Sequence, residues 1–360
     1  MKKSINLTIA TDKDGQGGIA TVLNVYESEG FFNDTNSELL VSHSTNTRFG
    51  MAGQLFNYLL CIIKLVSKLI IYDVGVVHIH MASRGSYARK SLLIKLIKYF
   101  NTKIILHLHG AEFREFYNNE CCESKKAQIR TTFNSVDKVI VLSTQWLDWL
   151  DTILDDRKKG VVVYNAVPKL EIEKEKEKTN NFNFVFLGRL GERKGVSDLI
   201  RAFNCVVKEH PNARLLLGGD GEIKKYQKMV NELGLDECVE LLGWVAGDKK
   251  INILKQADAY VLPSYNEGFP MGVLEAMSCN IPVIASTAGG IPDAITNNID
   301  GLLIKPGDVG SLKMAMNRLI EFPVETEKMR DVAKEKFLNN FSPRVIIPKL
   351  KCIYKELGAI

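Results

Sequence analysis

Ser264-Tyr-Asn-Glu-Gly-Phe-Pro-Met-Gly-Val-Leu-Glu-Ala-Met277 follows the short apolar run Ala259–Leu262. Gly268 allows a tight turn, and Pro270 suits the first turn of a helix that starts near Met271. A helix opened in this way directs free backbone N–H groups and the positive end of its dipole beyond the end of the preceding strand. That is a phosphate site built without a metal. Glu267 stands just before the helix and Glu275 eight residues later. Met271 to Glu275 is i to i+4, so Glu275 returns to the same side as the helix start. Carboxylates there can accept hydrogen bonds from the hydroxyls of a ribose. A strand that ends on a ligand-binding turn and runs into a helix is the unit of a doubly wound parallel sheet, whose ligands lie beyond the carboxyl ends of the strands.

The same unit recurs on both sides of this stretch. Downstream of residue 182 the strands are expected at Phe184–Leu187, Ala213–Leu217, Val239–Leu242, Ala259–Leu262, Pro282–Ala285 and Leu302–Lys305, with helices between them. Upstream, Ile5–Ala10, Val74–Met81, Lys103–Leu108, Lys138–Leu142 and Val161–Tyr164 are nearly continuous in Val, Ile and Leu, as strands buried on both faces must be. Between the two series, Glu171–Asn181 carries seven charges and one apolar residue, a composition that suits a solvated linker. The 360 residues therefore divide into an N-terminal Rossmann-like domain (1–168), a charged linker (169–182) and a C-terminal Rossmann-like domain (183–342). A last helix from Pro343 is placed to pack back on the first domain.

Further motifs fall at strand ends. Phe186-Leu-Gly-Arg-Leu-Gly-Glu-Arg-Lys-Gly195 follows one strand and contains Arg189 and Lys194. Leu217-Gly-Gly-Asp-Gly-Glu222, with Gly219 and Asp220, follows the next, and Leu242-Gly-Trp-Val245 the one after. In the first domain Gly17 and Gly18 open a helix and would let backbone approach a ligand. Two His-x-His pairs, His78/His80 and His107/His109, each place two imidazoles on one face of a strand. One reading is a four-histidine metal site, although no supporting carboxylate motif flanks it. The other is hydrogen bonding within the core. Asp12-Lys-Asp14 has the spacing of a metal-binding Asp-x-Asp but reads as turn chemistry.

Taken in order, these motifs resemble the Glu-x7-Glu pattern of retaining glycosyltransferases of family 4, which have the GT-B fold of two Rossmann-like domains facing each other across a cleft. The resemblance implies that Arg189 and Lys194 meet the donor diphosphate and that Glu267 positions the sugar. Gly219, Asp220, Val245, Gly268, Phe269, Pro270, Met271, Gly272 and Glu275 would line the nucleotide, with Gly17 and Gly18 near the donor phosphates. It also implies that His109, just before Gly110, contacts the transferred sugar. Donor binding of this kind needs no metal, so no metal or cofactor is expected. The chemistry is consistent. A departing diphosphate gathers negative charge, which a guanidinium fork and an ammonium would stabilise.

Between Leu39 and Ala111 stand nine basic residues and a single acid, Asp73. Tyr87–Phe100 reads as a basic amphipathic helix with Leu92, Leu93, Leu96, Ile97 and Phe100 in one stripe. Arg89, Lys90, Lys95 and Lys98 lie elsewhere on it, suited to an anionic bilayer. Leu55–Ile71 is apolar but interrupted by charge, which favours an amphipathic helix over a membrane span. Aromatic residues are not interleaved with the charge, which argues against nucleic acid. Seven cysteines without regular spacing and no signal-like opening suit a reduced, cytoplasmic setting, peripheral on the inner face of the membrane. The expected partners are a nucleotide-sugar donor and a lipid-linked saccharide acceptor, as in surface polysaccharide synthesis. The alternatives are a sugar-nucleotide epimerase or phosphorylase of the same architecture, a non-catalytic nucleotide-sugar-binding protein, and a metallohydrolase.

Overall fold

The computed structural model describes residues 2–15, 17–44, 50–170, 172 and 181–360. The expected linker lies mostly outside them, as does Arg48 of the basic region. The chain forms two compact units, Met1–Ala166 with Pro343–Ile360, and Val167–Ser342.

In the first unit, β1 (Ser4–Thr11) leads through α1 (Gly18–Ser28) to β2 (Ser37–His43). Next come α2 (Gly50–Ile71), β3 (Asp73–Met81), α3 (Gly85–Lys98), β4 (Lys103–Leu108), α4 (Glu123–Asn134), β5 (Lys138–Val141), α5 (Thr144–Leu150) and β6 (Gly160–Val162). The six strands form one parallel sheet in the order β2-β1-β3-β4-β5-β6. The inner strands are buried almost from end to end, and each enclosed Val, Ile or Leu contributes roughly 1.5–3 kcal/mol. The edge strand β2 lay outside the sequence expectation. Its Ser-Glu-Leu-Leu-Val-Ser-His is half exposed and pairs on one side only, so it needs no continuous apolar run.

The second unit repeats the plan. It contains β7 (Phe182–Leu187), α6 (Val196–Glu209), β8 (Ala213–Gly218), α7 (Ile223–Glu232), β9 (Val239–Gly243), α8 (Gly247–Gln256) and β10 (Ala259–Leu262). α9 (Met271–Ser278), β11 (Val283–Ser286), β12 (Leu302–Ile304), α10 (Val309–Glu321) and α11 (Pro323–Asn340) follow. The sheet order is β12-β11-β10-β7-β8-β9, again parallel throughout. β7 therefore has later strands on both sides, and the strand order reverses between β7 and β10. The last helix, α12 (Pro343–Glu356), groups with the first unit. There the Tyr354 hydroxyl lies 3.1 Å from His78 Nδ1.

Two helices depart from the sequence reading. In α3 the buried stripe runs through Tyr87, Lys90, Ile94 and Ile97. Lys90 is fully enclosed, whereas Leu92 is 53% exposed. Lys90 therefore cannot face a bilayer. Its ammonium, pushed down to about 8 chiefly by burial and secondarily by the neighbouring Arg89, sits in the interior of the first unit. In α2, Tyr58, Cys61, Leu65 and Leu69 pack inward, but the outward face is apolar too rather than polar.

The helix α9 is seated on β10 by a glycine. The Tyr260 hydroxyl donates to the Leu187 carbonyl at 3.0 Å, and a Cβ on Gly272 would lie 2.1 Å from that hydroxyl. Gly272→Ala is expected to cost roughly 1–3 kcal/mol by overpacking and to cost less in a Tyr260→Phe background. Urea unfolding of the four proteins measures this coupling, and an alanine variant as stable as the parent would refute the packing.

Candidate functional site

In an open parallel sheet, the crevice where strand order reverses is the place for a ligand. In the second unit that is the end of β7 and β10, and the singled-out residues of both strands meet there. Glu267, in the loop after β10, is 5% exposed. Its Oε1 accepts hydrogen bonds from Lys194 Nζ at 2.6 Å and from Ser264 Oγ at 2.7 Å. Ser264 is fully buried, and its carbonyl accepts from Ser286 Oγ on β11. A carboxylate this deep needs such partners, because removing one would leave a buried charge uncompensated.

The backbone around Glu267 is fixed by glycines. Gly289 has φ 55°, and a Cβ there would lie 1.8 Å from the Glu267 carbonyl. Gly290 N–H donates to the Gly268 carbonyl. Gly195, at φ 69°, passes so close to Pro263 that a Cβ would come within 2.2 Å of its carbonyl oxygen. Between these contacts Lys194 is delivered from the short 3-10 turn Glu192–Lys194.

The Gly219-Asp220-Gly221 turn braces Arg189. Leu190 N–H donates to the Asp220 carbonyl at 2.6 Å, and Glu222 N–H to the Leu190 carbonyl at 2.9 Å. Gly219, at φ 152°, leaves no room for a Cβ against the Gly188 carbonyl. Arg189 projects exposed from this clamp. Val245, in the loop after β9, lies against Gly218 at the end of β8, beside a half-exposed Trp244.

Pro270 is the N-cap of α9 rather than part of its first turn, and no side chain caps the helix. Its first N–H groups therefore lack the usual side-chain acceptor. Met271 and Gly272 are part-exposed at that end. Phe269, expected beside the nucleotide, turns its ring inward onto Phe341 at 5.4 Å and is 4% exposed, so only its backbone heads the helix. Glu275 is 7% exposed and bonded by Lys250 of α8 at 2.6 Å. Sequence reasoning missed Lys250, Ser264 and Tyr260. None sits in a glycine-marked turn, and only their partners reveal them.

In the first unit, Gly17 is the N-cap of α1 at φ 121°, and open space surrounds it and Gly18. The four histidines form a column on β3 and β4. His80 Nδ1 lies 2.8 Å from His109 Nε2, and His78 Nε2 lies 3.2 Å from His107 Nδ1. His78, His80 and His107 bring ring nitrogens within 4.8 Å of one another. However, His78 and His107 are stacked 6° from parallel, their nitrogens engaging each other rather than aiming at a common point. Metal ligands must converge, so the geometry favours a hydrogen-bonded column. Among the described residues, the Nε2 atoms of His80 and His107 have no hydrogen-bond partner.

Burial pushes His78 and His109 down to about 3, Lys90 adding to the effect at His109, and holds His80 and His107 well below the ordinary 6.5. All four are neutral near pH 7, so His109 is a hydrogen-bonding group, not a cation. Of the residues that follow His109, Glu112 is held by Arg84, Phe113 is wholly in the core, and Tyr117 accepts from Arg130 Nε at 2.7 Å.

Anabaena HepE in complex with UDP and glucose superposes with a TM-score of 0.77 at 18% identity, covering 99% of this chain and all of that one. Sucrose-phosphate synthase of Thermosynechococcus elongatus gives 0.80 at 18% identity over 99% of this chain and 100% of its own. The fold is thus GT-B, two Rossmann-like domains in one chain. Residues 168–336, a stretch inside the second unit, match the model of the Glycosyl transferases group 1 family.

Among curated relatives, an uncharacterized glycosyltransferase of Methanocaldococcus jannaschii is 29% identical over 69% of this chain and 63% of its own length. The D-inositol 3-phosphate glycosyltransferase of Corynebacterium jeikeium is 32% identical over 38% and 34%. The amylovoran biosynthesis glycosyltransferase of Erwinia amylovora is 24% identical over 78% and 70%. The chain thus spans between about a third and two thirds of the length of the first two.

The histidine column sets a pH dependence. Its imidazoles are depressed in the native state, so below about 6.5 the unfolded chain binds protons that the folded chain does not. Stability is fully present above that value and is lost as pH falls. The first unit, followed by the fluorescence of its buried Trp146 and Trp149, is expected to melt at lower temperature at about pH 5 than at about pH 7. His78→Asn should flatten that slope. An unchanged melting temperature across the range would contradict neutral burial.

Proposed function

We propose that this protein is a glycosyltransferase that moves a hexose or N-acetylhexosamine, with retention and without a metal, from a UDP-sugar to a lipid-linked saccharide. It would act at the cytoplasmic face of a membrane, in surface polysaccharide synthesis. The observation that carries the reading is the meeting of Lys194, from the loop after β7, with the buried carboxylate of Glu267, in the loop after β10 that leads into the uncapped start of α9. The family match in the second unit supports the transferase class. The UDP and glucose of the Anabaena structure and the amylovoran biosynthesis named for the Erwinia relative support the donor and a biosynthetic role.

In this reading the sugar–phosphate bond breaks toward the diphosphate, and the growing charge is taken by Arg189, Lys194 and the α9 backbone. The acceptor hydroxyl attacks on the same face and passes its proton to the departing phosphate oxygen. Glu267, held by Lys194 and Ser264, orients sugar hydroxyls. Neutral His109 donates to or accepts from the sugar.

Incubation with UDP-, GDP- and ADP-sugars, with and without EDTA, tests this. We expect UDP release that is insensitive to EDTA and falls at least about a hundredfold, some 3 kcal/mol, in Glu267→Ala and Lys194→Ala. Absence of both release and nucleotide binding would sink the proposal. Conversion of the donor into an isomeric nucleotide-sugar would make the protein an epimerase.

A further inference from the structure

Eight of the twenty large apolar side chains exposed among the described residues belong to α2. Met51, Leu55, Phe56, Leu59, Ile63 and Ile70 are each at least half exposed. At 100° per residue they cover one broad side of the helix, running from the edge of the buried stripe of Tyr58, Cys61, Leu65 and Leu69 round toward the opposite side. A lone exposed leucine needs no explanation, but a contiguous apolar face about 30 Å long does.

The charge carried by the helix itself has one sign. α2 contains no acid, and its lysines Lys64 and Lys68 lie along one border of the apolar side. Lys68 reaches Glu38 of the edge strand. Lys2, exposed in the N-terminal segment, donates to the Ile70 carbonyl at the far end. The neighbouring α3, joined to α2 by the Tyr58 hydroxyl on the Arg89 carbonyl at 2.7 Å, also lacks acids and exposes Leu92, Lys95, Lys98 and Tyr99. The nearby acids are Glu38, already paired, and Asp73 after the helix.

We propose that the outward face of α2 is a docking surface for an anionic lipid bilayer, the helix lying in the plane of the interface with its apolar side among the acyl chains and its lysines among the headgroups. This deepens the reading of a lipid-linked acceptor and rests on it. The helix is long and apolar enough to cross a membrane, but its buried stripe belongs to the core of the first unit. Crossing would strip that core, whereas lying flat leaves it intact. A second copy is a poorer occupant, since an isologous contact would set this acid-free, lysine-bordered surface against itself. Long lysine stems suit the bilayer, where the ammonium can reach the headgroups. α2 begins a few residues after β2 ends, so Met51, Leu55 and Phe56 lie at the strand-end side of the unit. His109 lies at that same side, where an acceptor anchored in lipid would arrive.

The test is co-sedimentation of the full-length protein with vesicles of phosphatidylcholine alone or mixed in equal parts with phosphatidylglycerol. Binding to the mixed vesicles is expected to fall about a hundredfold in a Leu55→Gln/Phe56→Gln/Ile63→Gln variant, with donor hydrolysis in solution unchanged. In Phe56→Trp the new indole should be quenched by brominated acyl chains, and the parent tryptophans should not. A triple variant that binds vesicles like the parent would overturn the proposal. So would a parent dimer that the variant converts to monomer without loss of lipid binding. A parent that binds the mixed vesicles but releases no nucleotide would sink the transferase reading alone, and one that releases nucleotide but ignores the vesicles would sink this one alone.

Discussion

Glu267 and Lys194 meet at 2.6 Å in a place where the carboxylate has almost no contact with solvent. An ion pair so enclosed gives little net stability, since desolvating both charges costs about as much as their attraction returns. It does fix position. Lys194 comes from the loop after β7 and Glu267 from the loop after β10, so the pair ties the two strand ends flanking the reversal of strand order. The glycines of that end are consequences of the tie. Gly195 and Gly289 let backbone run against Pro263 and Glu267 where any side chain would collide, and without them the loops that carry the pair could not approach so closely.

The arrangement also decides what the backbone of α9 can offer. A helix beginning on proline has no side chain to satisfy its first N–H groups, and Gly272 allows it to press onto Tyr260. The Gly-Asp-Gly turn plays the matching part on the other side of β7, gripping the backbone of Leu190 so that Arg189 projects outward. Two turns with different sequences thus fix the backbone on either side of β7, the loop after β10 presenting a carboxylate to Lys194 and the Gly-Asp-Gly turn bracing the residue after Arg189.

Much of this was legible in the sequence because strands buried on both faces must be written in Val, Ile and Leu and must end on glycine where chain approaches chain. The boundaries of β4 and β10 read directly. The edge strand β2 did not, since pairing on one side leaves it free to carry Glu38 and Ser42. Helix periodicity misled at Lys90, because a lysine at a buried position looks like any polar interruption until its neighbours are known. Residues that act as partners, such as Ser264 and Lys250, leave no pattern along the chain. Their role exists only in three dimensions. The histidine pairs announced a shared face but not that the rings would stack and bond one another, which is fixed by the register of His80 opposite His107.

The return of α12 to the first unit has a consequence for the order in which the molecule can be completed. Asn6 in the first strand donates to the carbonyl of Ala359, and His78 meets Tyr354, so the earliest strands are finished by residues made after the whole second unit. During synthesis the inserted unit, continuous from Val167 to Ser342, can close while its host is still open. The first half of the chain must wait, as a partly built sheet with an unfilled seat, for its final helix to leave the ribosome.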